Sequence, residues 1–122
     1  MSTLKNEMAA GVITGSDVQK IFAAAKANLY ALPGANCTGT DTVNAVMETA
    51  VKVNAPVIMQ FSSGGGEFFA AKGLKGANMQ AAVAGCVSAA HHVHQIAPLY
   101  GAYVILHTDH CPRNRLAWVD GM

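Results

Sequence analysis

Apolar residues recur along this chain with two alternating periods. Between residues 16 and 29 they fall at Val18, Ile21, Phe22, Ala25 and Leu29, the three-and-four spacing of a helix with one buried side. Ser16-Asp17-Val18-Gln19 opens that stretch as a capping box, in which the hydroxyl accepts from a free backbone N–H and the glutamine reaches back. An extended segment follows from Ala31 to Cys37. Pro33 cannot donate to a ladder, so the strand proper is expected beside it, with Asn36 at its end. Thr40-Asp41 is placed to cap a second helix whose face is Val43, Val46, Met47, Ala50 and Val51. Asn54-Ala55-Pro56 ends it, because the residue before proline avoids the helical region.

The alternation then repeats. Pro56 to Ser62 reads as a second buried strand, running into Ser63-Gly64-Gly65-Gly66, which reads as a loop of little side-chain bulk. Residues 67–77 have no strong period, and Lys72 and Lys75 are expected to be solvated. A third helix is predicted from about Asn78 to Tyr100, with a stripe of Met79, Ala82, Val83, Cys86, Val87, Ala90, Val93 and Ala97. Gly101 breaks it. Tyr103-Val104-Ile105-Leu106 then forms a third apolar strand that stops abruptly in His107-Thr108-Asp109-His110-Cys111. Arg115 to Met122 reads as the first turns of another helix, and residues 1–13, without a clear period, as a lead-in. Repeated strand–helix units predict an α/β fold with parallel strands joined by right-handed crossovers.

Composition sharpens this picture. The chain has 122 residues, of which 52% are hydrophobic and 12% charged. That charge fraction is about half the usual value. A single small domain fits the length, and the scarcity of charge predicts association or membership of something larger. The net charge is +1 with no basic cluster, which leaves nucleic-acid binding without electrostatic support. No apolar run approaches the length of a membrane span, and the N-terminus lacks the apolar core of a signal peptide. Cys37, Cys86 and Cys111 are three in number, without CxxC spacing; reduced thiols in a cytoplasm fit them better than a disulfide framework.

Each predicted strand ends in a polar group: Asn36, Ser62, then His107, Asp109 and His110. Parallel strands in register bring such ends to one mouth. Side-chain alternation gives His107 and Asp109 one direction and Thr108 the other. Asp109 is the only acidic residue between Glu67 and Asp120. An imidazole beside a carboxylate suits metal ligation or proton transfer, and both remain open at this point. Pro112 disfavours Cys111 as a ligand. The helical His91-His92-Val93-His94-Gln95 is a rival cluster. At 100° per residue His94 falls inside the apolar stripe, His91 at its edge and His92 opposite. No carboxylate is near, so structural hydrogen bonding or a subunit contact is the better reading. The Ser62–Gly66 loop offers backbone N–H groups to a phosphate, but it carries neither nucleotide-binding glycine pattern.

Several strings together resemble class II fructose-bisphosphate aldolase, most of all its bacterial and fungal branch. They are Gly11-Val12-Ile13-Thr14-Gly15, Leu32-Pro33 with Asn36-Cys37, Ala55-Pro56-Val57-Ile58, Gln60-Phe61-Ser62, His91-His92-Val93-His94-Gln95 and Val104 to Cys111. The resemblance implies a (β/α)8 TIM barrel, of which this chain supplies only the first roughly three βα units, so that residues 1–122 would be the N-terminal part of one barrel domain. It implies a cytoplasmic homodimer that reversibly cleaves fructose 1,6-bisphosphate into dihydroxyacetone phosphate and glyceraldehyde 3-phosphate in glycolysis and gluconeogenesis. Zinc stabilises the enediolate. By motif position, His110 matches a zinc ligand, Asp109 the acid/base at the C4 hydroxyl, and Asn36 and Ser62 substrate-contacting residues, the serine near a phosphate. His107 matches a supportive histidine beside the site. The other zinc ligands would lie beyond this chain, so the fragment alone is expected to be inactive. Two alternatives stay open: a tagatose 1,6-bisphosphate aldolase, and a non-catalytic chain acting as an association module.

Overall fold

The computed structural model describes residues 4–74 and 76–122. Lys75 and the first three residues of the lead-in lie outside the described residues. In chain order the elements are α1 (Leu4–Glu7), β1 (Gly11–Val12), α2 (Ser16–Ala27), β2 (Gly34–Asn36), α3 (Thr40–Lys52), β3 (Val57–Phe61), α4 (Ser63–Phe69), α5 (Gln80–Tyr100) and β4 (Tyr103–Thr108). A 3-10 turn (Arg113–Arg115) and α6 (Leu116–Asp120) complete them. The described strands form one parallel sheet in the order β1-β4-β3-β2. The α/β, parallel-sheet expectation is therefore met.

Alternation along the strands divides the core in two. Val57, Met59 and Phe61 of β3 and Val104 of β4 face α3 and α5, where Val43, Met47, Ala89 and Val93 are buried with them, together with Trp118 of α6. Ile58, Tyr103 and Ile105 face the other way and pack with Met8, Ile13 and the fully buried Ile21 of α2. Burying side chains of this size stabilises the fold by about 1.5–3 kcal/mol each. The lead-in is thus part of the core rather than an appendage. β1 pairs Gly11 with Tyr103 and Val12 with Val104, a two-residue ladder too short to leave a period in the sequence.

The helix ends share one construction. At the close of α2, α3 and α5 a residue in the left-handed region, Leu29, Asn54 or Gly101, lets the following N–H reach back five residues. Those bonds run from Tyr30 to the Ala25 carbonyl, from Ala55 to Ala50 and from Ala102 to Ala97, at 2.9–3.1 Å. This is the Schellman termination. Glycine and asparagine suit the left-handed turn, whereas a leucine is strained there. The starts differ in detail from the sequence reading. Gly15 precedes α2 without a side-chain cap, so the Ser16–Gln19 capping box does not form. At α3 the hydroxyl of Thr42, rather than Thr40 or Asp41, accepts from the Gly39 N–H at 3.1 Å.

The largest departure is Ser63-Gly64-Gly65-Gly66, which is the first turn of α4 rather than a loop. Glycine costs about 1 kcal/mol in a helix relative to alanine, and packing explains its use. A Cβ on Gly85 of α5 would land inside the Gly66 carbonyl, and one on Gly66 would collide with the Ala82 carbonyl and the Cys86 thiol. The two helices cross backbone to backbone, and only glycine permits it.

Two substitutions test these readings with opposite signs. Gly85→Ala must push α4 from α5 and should cost about 2–3 kcal/mol. Leu29→Gly relieves the left-handed strain of a side chain that is 94% exposed and should add about 0.5–1 kcal/mol. Denaturant midpoints of the two variants against the parent check both.

Candidate functional site

The face of the sheet that packs on α2 is built in two tiers. In the lower tier Gly34, Ile58 and Ile105 lie side by side across β2, β3 and β4. This is an apolar floor, sealed from below by Ile13 and Ile21. Two residues further along each strand, the same pairing sets Asn36 beside Gln60 and Gln60 beside His107. The polar tier is joined by hydrogen bonds. The Gln60 Nε2 donates to the Asn36 Oδ1 at 3.0 Å, and the Gln60 Oε1 lies 2.9 Å from the His107 Nδ1. Gly34 leaves room for this amide, since a Cβ there would sit 3.2 Å from the Gln60 Oε1.

Asp109 and His110 follow directly on β4. The Asp109 carboxylate accepts from the His110 backbone N–H at 2.8 Å and lies 3.3 Å from the His110 Nε2. The carboxylate is largely covered, with 23% of its side chain exposed, while the His110 ring is 93% exposed. The segment beyond them is strapped down: Arg115 in the 3-10 turn donates to the hydroxyl of Ser63, which is buried at the start of α4. Ser62 is the N-cap of α4, its hydroxyl accepting from the Gly65 N–H at 3.0 Å. Its own hydroxyl proton stays available for donation.

The structure thus joins Asn36 and His107 through Gln60, sets Asp109 against His110, and commits Ser62 to a helix cap. Sequence reasoning gave Gln60 no role. The signal was there: an amide inside an otherwise apolar strand, at the position that shares its face with Ile58.

The helical histidines behave differently from their projection. His94 is exposed, not within the stripe, and so is His91; Val93 is the buried residue of the cluster. His92 is partly buried, with its Nε2 3.0 Å from the Asn44 Oδ1 on α3. The residues the helix buries, among them Cys86, Ala89, Val93 and Ala97, centre its inner face on Val93, and His94 stands about 100° round from that centre. Among the described residues no three His, Cys, Asp or Glu side chains stand close enough to hold a metal ion. No described helix is long and apolar enough to cross a membrane.

Behind the site, burial pushes both the Cys37 and the Cys86 thiols up, and the Trp118 side chain holds part of the Cys86 rise back. Cys86 also donates weakly to the Ser62 carbonyl at 3.8 Å.

A sequence model of class-II fructose-bisphosphate aldolase matches residues 16–119, and the chain belongs to that family. It is 58% identical over 123 residues to the fructose-bisphosphate aldolase class 2 of Escherichia coli (strain K12), and 56% identical over 122 residues to the fructose-bisphosphate aldolase of Edwardsiella ictaluri. In both cases the whole chain aligns with 34% of the relative. It superposes on a crystal structure of fructose-bisphosphate aldolase from Campylobacter jejuni with a TM-score of 0.86 and 51% identity, covering 93% of this chain and 32% of that one. The chain spans about a third of the length of these relatives.

The thiols report on this packing. The thiolate is the nucleophile, and burial disfavours it, so Cys37 and Cys86 should resist iodoacetamide at pH 8 while the partly exposed Cys111 is modified. Peptide mass spectrometry should show all three labelled at comparable rates only after denaturant is added.

Proposed function

We propose that residues 1–122 are the N-terminal part of a single aldolase barrel domain, and that the complete polypeptide reversibly cleaves fructose 1,6-bisphosphate to dihydroxyacetone phosphate and glyceraldehyde 3-phosphate. The observation that carries this reading is the continuous polar tier Asn36–Gln60–His107 on an apolar floor, with Asp109 and His110 directly after the end of β4. Family membership supports it, as does the match of these residues to the family's motifs. The barrel supplies the rest of the mouth.

The donors present fit one side of a zinc site. His110 carries a freely exposed imidazole next to a carboxylate, and neutral imidazole is a preferred zinc ligand. We assign His110 as one ligand, and the others would come from the rest of the complete polypeptide. Zinc, when bound, supplies Lewis-acid stabilisation of negative charge on the substrate's ketone oxygen. This chain's own residues do the remaining work. Asp109 holds and moves the proton at the C4 hydroxyl, since breaking the C3–C4 bond requires that proton to leave. Asn36 binds the sugar chain, and the Ser62 hydroxyl donates toward one of its phosphates at the foot of α4. His107 supports the row from the β4 side. The protein would work as a cytoplasmic homodimer.

In the complete enzyme, Asp109→Ala should keep the metal and lower turnover by about 10²–10⁴-fold, while His110→Ala should lose both. Metal analysis beside turnover on the fructose and tagatose 1,6-bisphosphates checks this. Full metal content in His110→Ala would remove the ligand assignment. A preference for the tagatose sugar would move the substrate, and silence on both sugars in the parent would remove the enzyme reading.

A further inference from the structure

We propose that Gln60 is a positioning residue whose side-chain amide fixes the tautomer of His107 and the orientation of the Asn36 amide. The inference rests on a direction that runs through the polar tier. A glutamine amide has two unlike ends: Nε2 only donates and Oε1 only accepts. Gln60 spends Nε2 on the Asn36 Oδ1 at 3.0 Å and meets the His107 Nδ1 with Oε1 at 2.9 Å. An acceptor oxygen at that distance requires the proton on Nδ1. The neutral ring then keeps its lone pair on Nε2, because one nitrogen of a neutral imidazole donates and the other accepts. At the far end, Asn36 accepts through Oδ1, so its NH2 group remains to donate. The tier is polarised, with an acceptor nitrogen at the β4 end and donor hydrogens at the β2 end.

Gln60 is held for this task. Its backbone is locked in register between β2 and β4, its side chain stands over a floor of the partly buried Ile58 and the buried Ile105, and the absence of a side chain at Gly34 gives the amide its space. Reversing the amide would require both neighbours to reverse with it. Gln60 therefore passes orientation between two residues that stand two strands apart, about 10 Å at the usual strand spacing, and that cannot touch directly. What meets the two ends, a hydroxyl donating to His107 and an oxygen accepting from Asn36, follows from the aldolase reading above; the tautomer itself does not.

The test is 15N NMR of the complete protein labelled at its histidine ring nitrogens, at a pH where His107 is neutral, with the His107 signals assigned by their loss in His107→Asn. The parent should show His107 protonated at Nδ1. Gln60→Glu keeps an acceptor oxygen and should keep that tautomer. Gln60→Met keeps the shape without the acceptor and should populate both tautomers, with kcat/KM falling about tenfold, the worth of one hydrogen bond. A parent ring protonated at Nε2 overturns the inference whether or not either variant folds, and so does an unchanged Nδ1–H ring in a folded Gln60→Met. An Nδ1–H parent that turns over neither sugar bisphosphate leaves the inference standing and removes the aldolase reading, so the two fail separately.

Discussion

Pairing of Asn36 with Gln60, and of Gln60 with His107, leaves no slack in how β2, β3 and β4 lie together. Side chains alternate faces with a period of two, so a slip of one residue inverts a whole strand. Were β3 to slip, Met59 and Phe61 would leave the core under α3 and α5, and Gln60 would be buried there without a partner. An unpaired buried amide costs about 1–3 kcal/mol, and exposing two large apolar side chains costs several more. The apolar floor of Ile58 and Ile105 and the polar tier above it thus specify each other. The same register that fills the core with one set of residues delivers the other set to the strand ends.

Glycine is used around this sheet for proximity more than for flexibility. Gly34 makes room for the Gln60 amide, and Gly66 and Gly85 let α4 and α5 meet at their backbones. That crossing draws the start of α4, with its Ser62 cap and buried Ser63, in beside the ends of the strands. Arg115 then ties the segment after His110 to Ser63. The residues proposed to handle substrate are consequently held by the main chain of packed elements, which is how rigid positioning is obtained from small side chains.

The sequence was legible where a period was long enough to be counted. α2, α3, α5 and the three longer strands follow from apolar spacing and lie within a few residues of their predicted limits. The polar strand ends Asn36, His107, Asp109 and His110 stood out because they interrupt apolar runs. What was not legible depends on contacts between distant residues. β1 is two residues long and is defined by its partner Tyr103-Val104. The glycines of α4 look like a loop until α5 is laid against them. Gln60 acquires a role only when Asn36 and His107 arrive on either side of it, and His94 is exposed because packing centres the buried face of α5 on Ala89, Val93 and Ala97, one residue round from it.

The central claim is that the Gln60 amide on β3 couples the strand ends on either side of it, Asn36 on β2 and His107 on β4. A double-mutant cycle on Gln60→Met and His107→Leu, read by denaturant unfolding, measures that coupling directly. The account predicts an interaction energy of about 0.5–1 kcal/mol, the worth of a partly exposed hydrogen bond. Strictly additive effects of the two substitutions would contradict it.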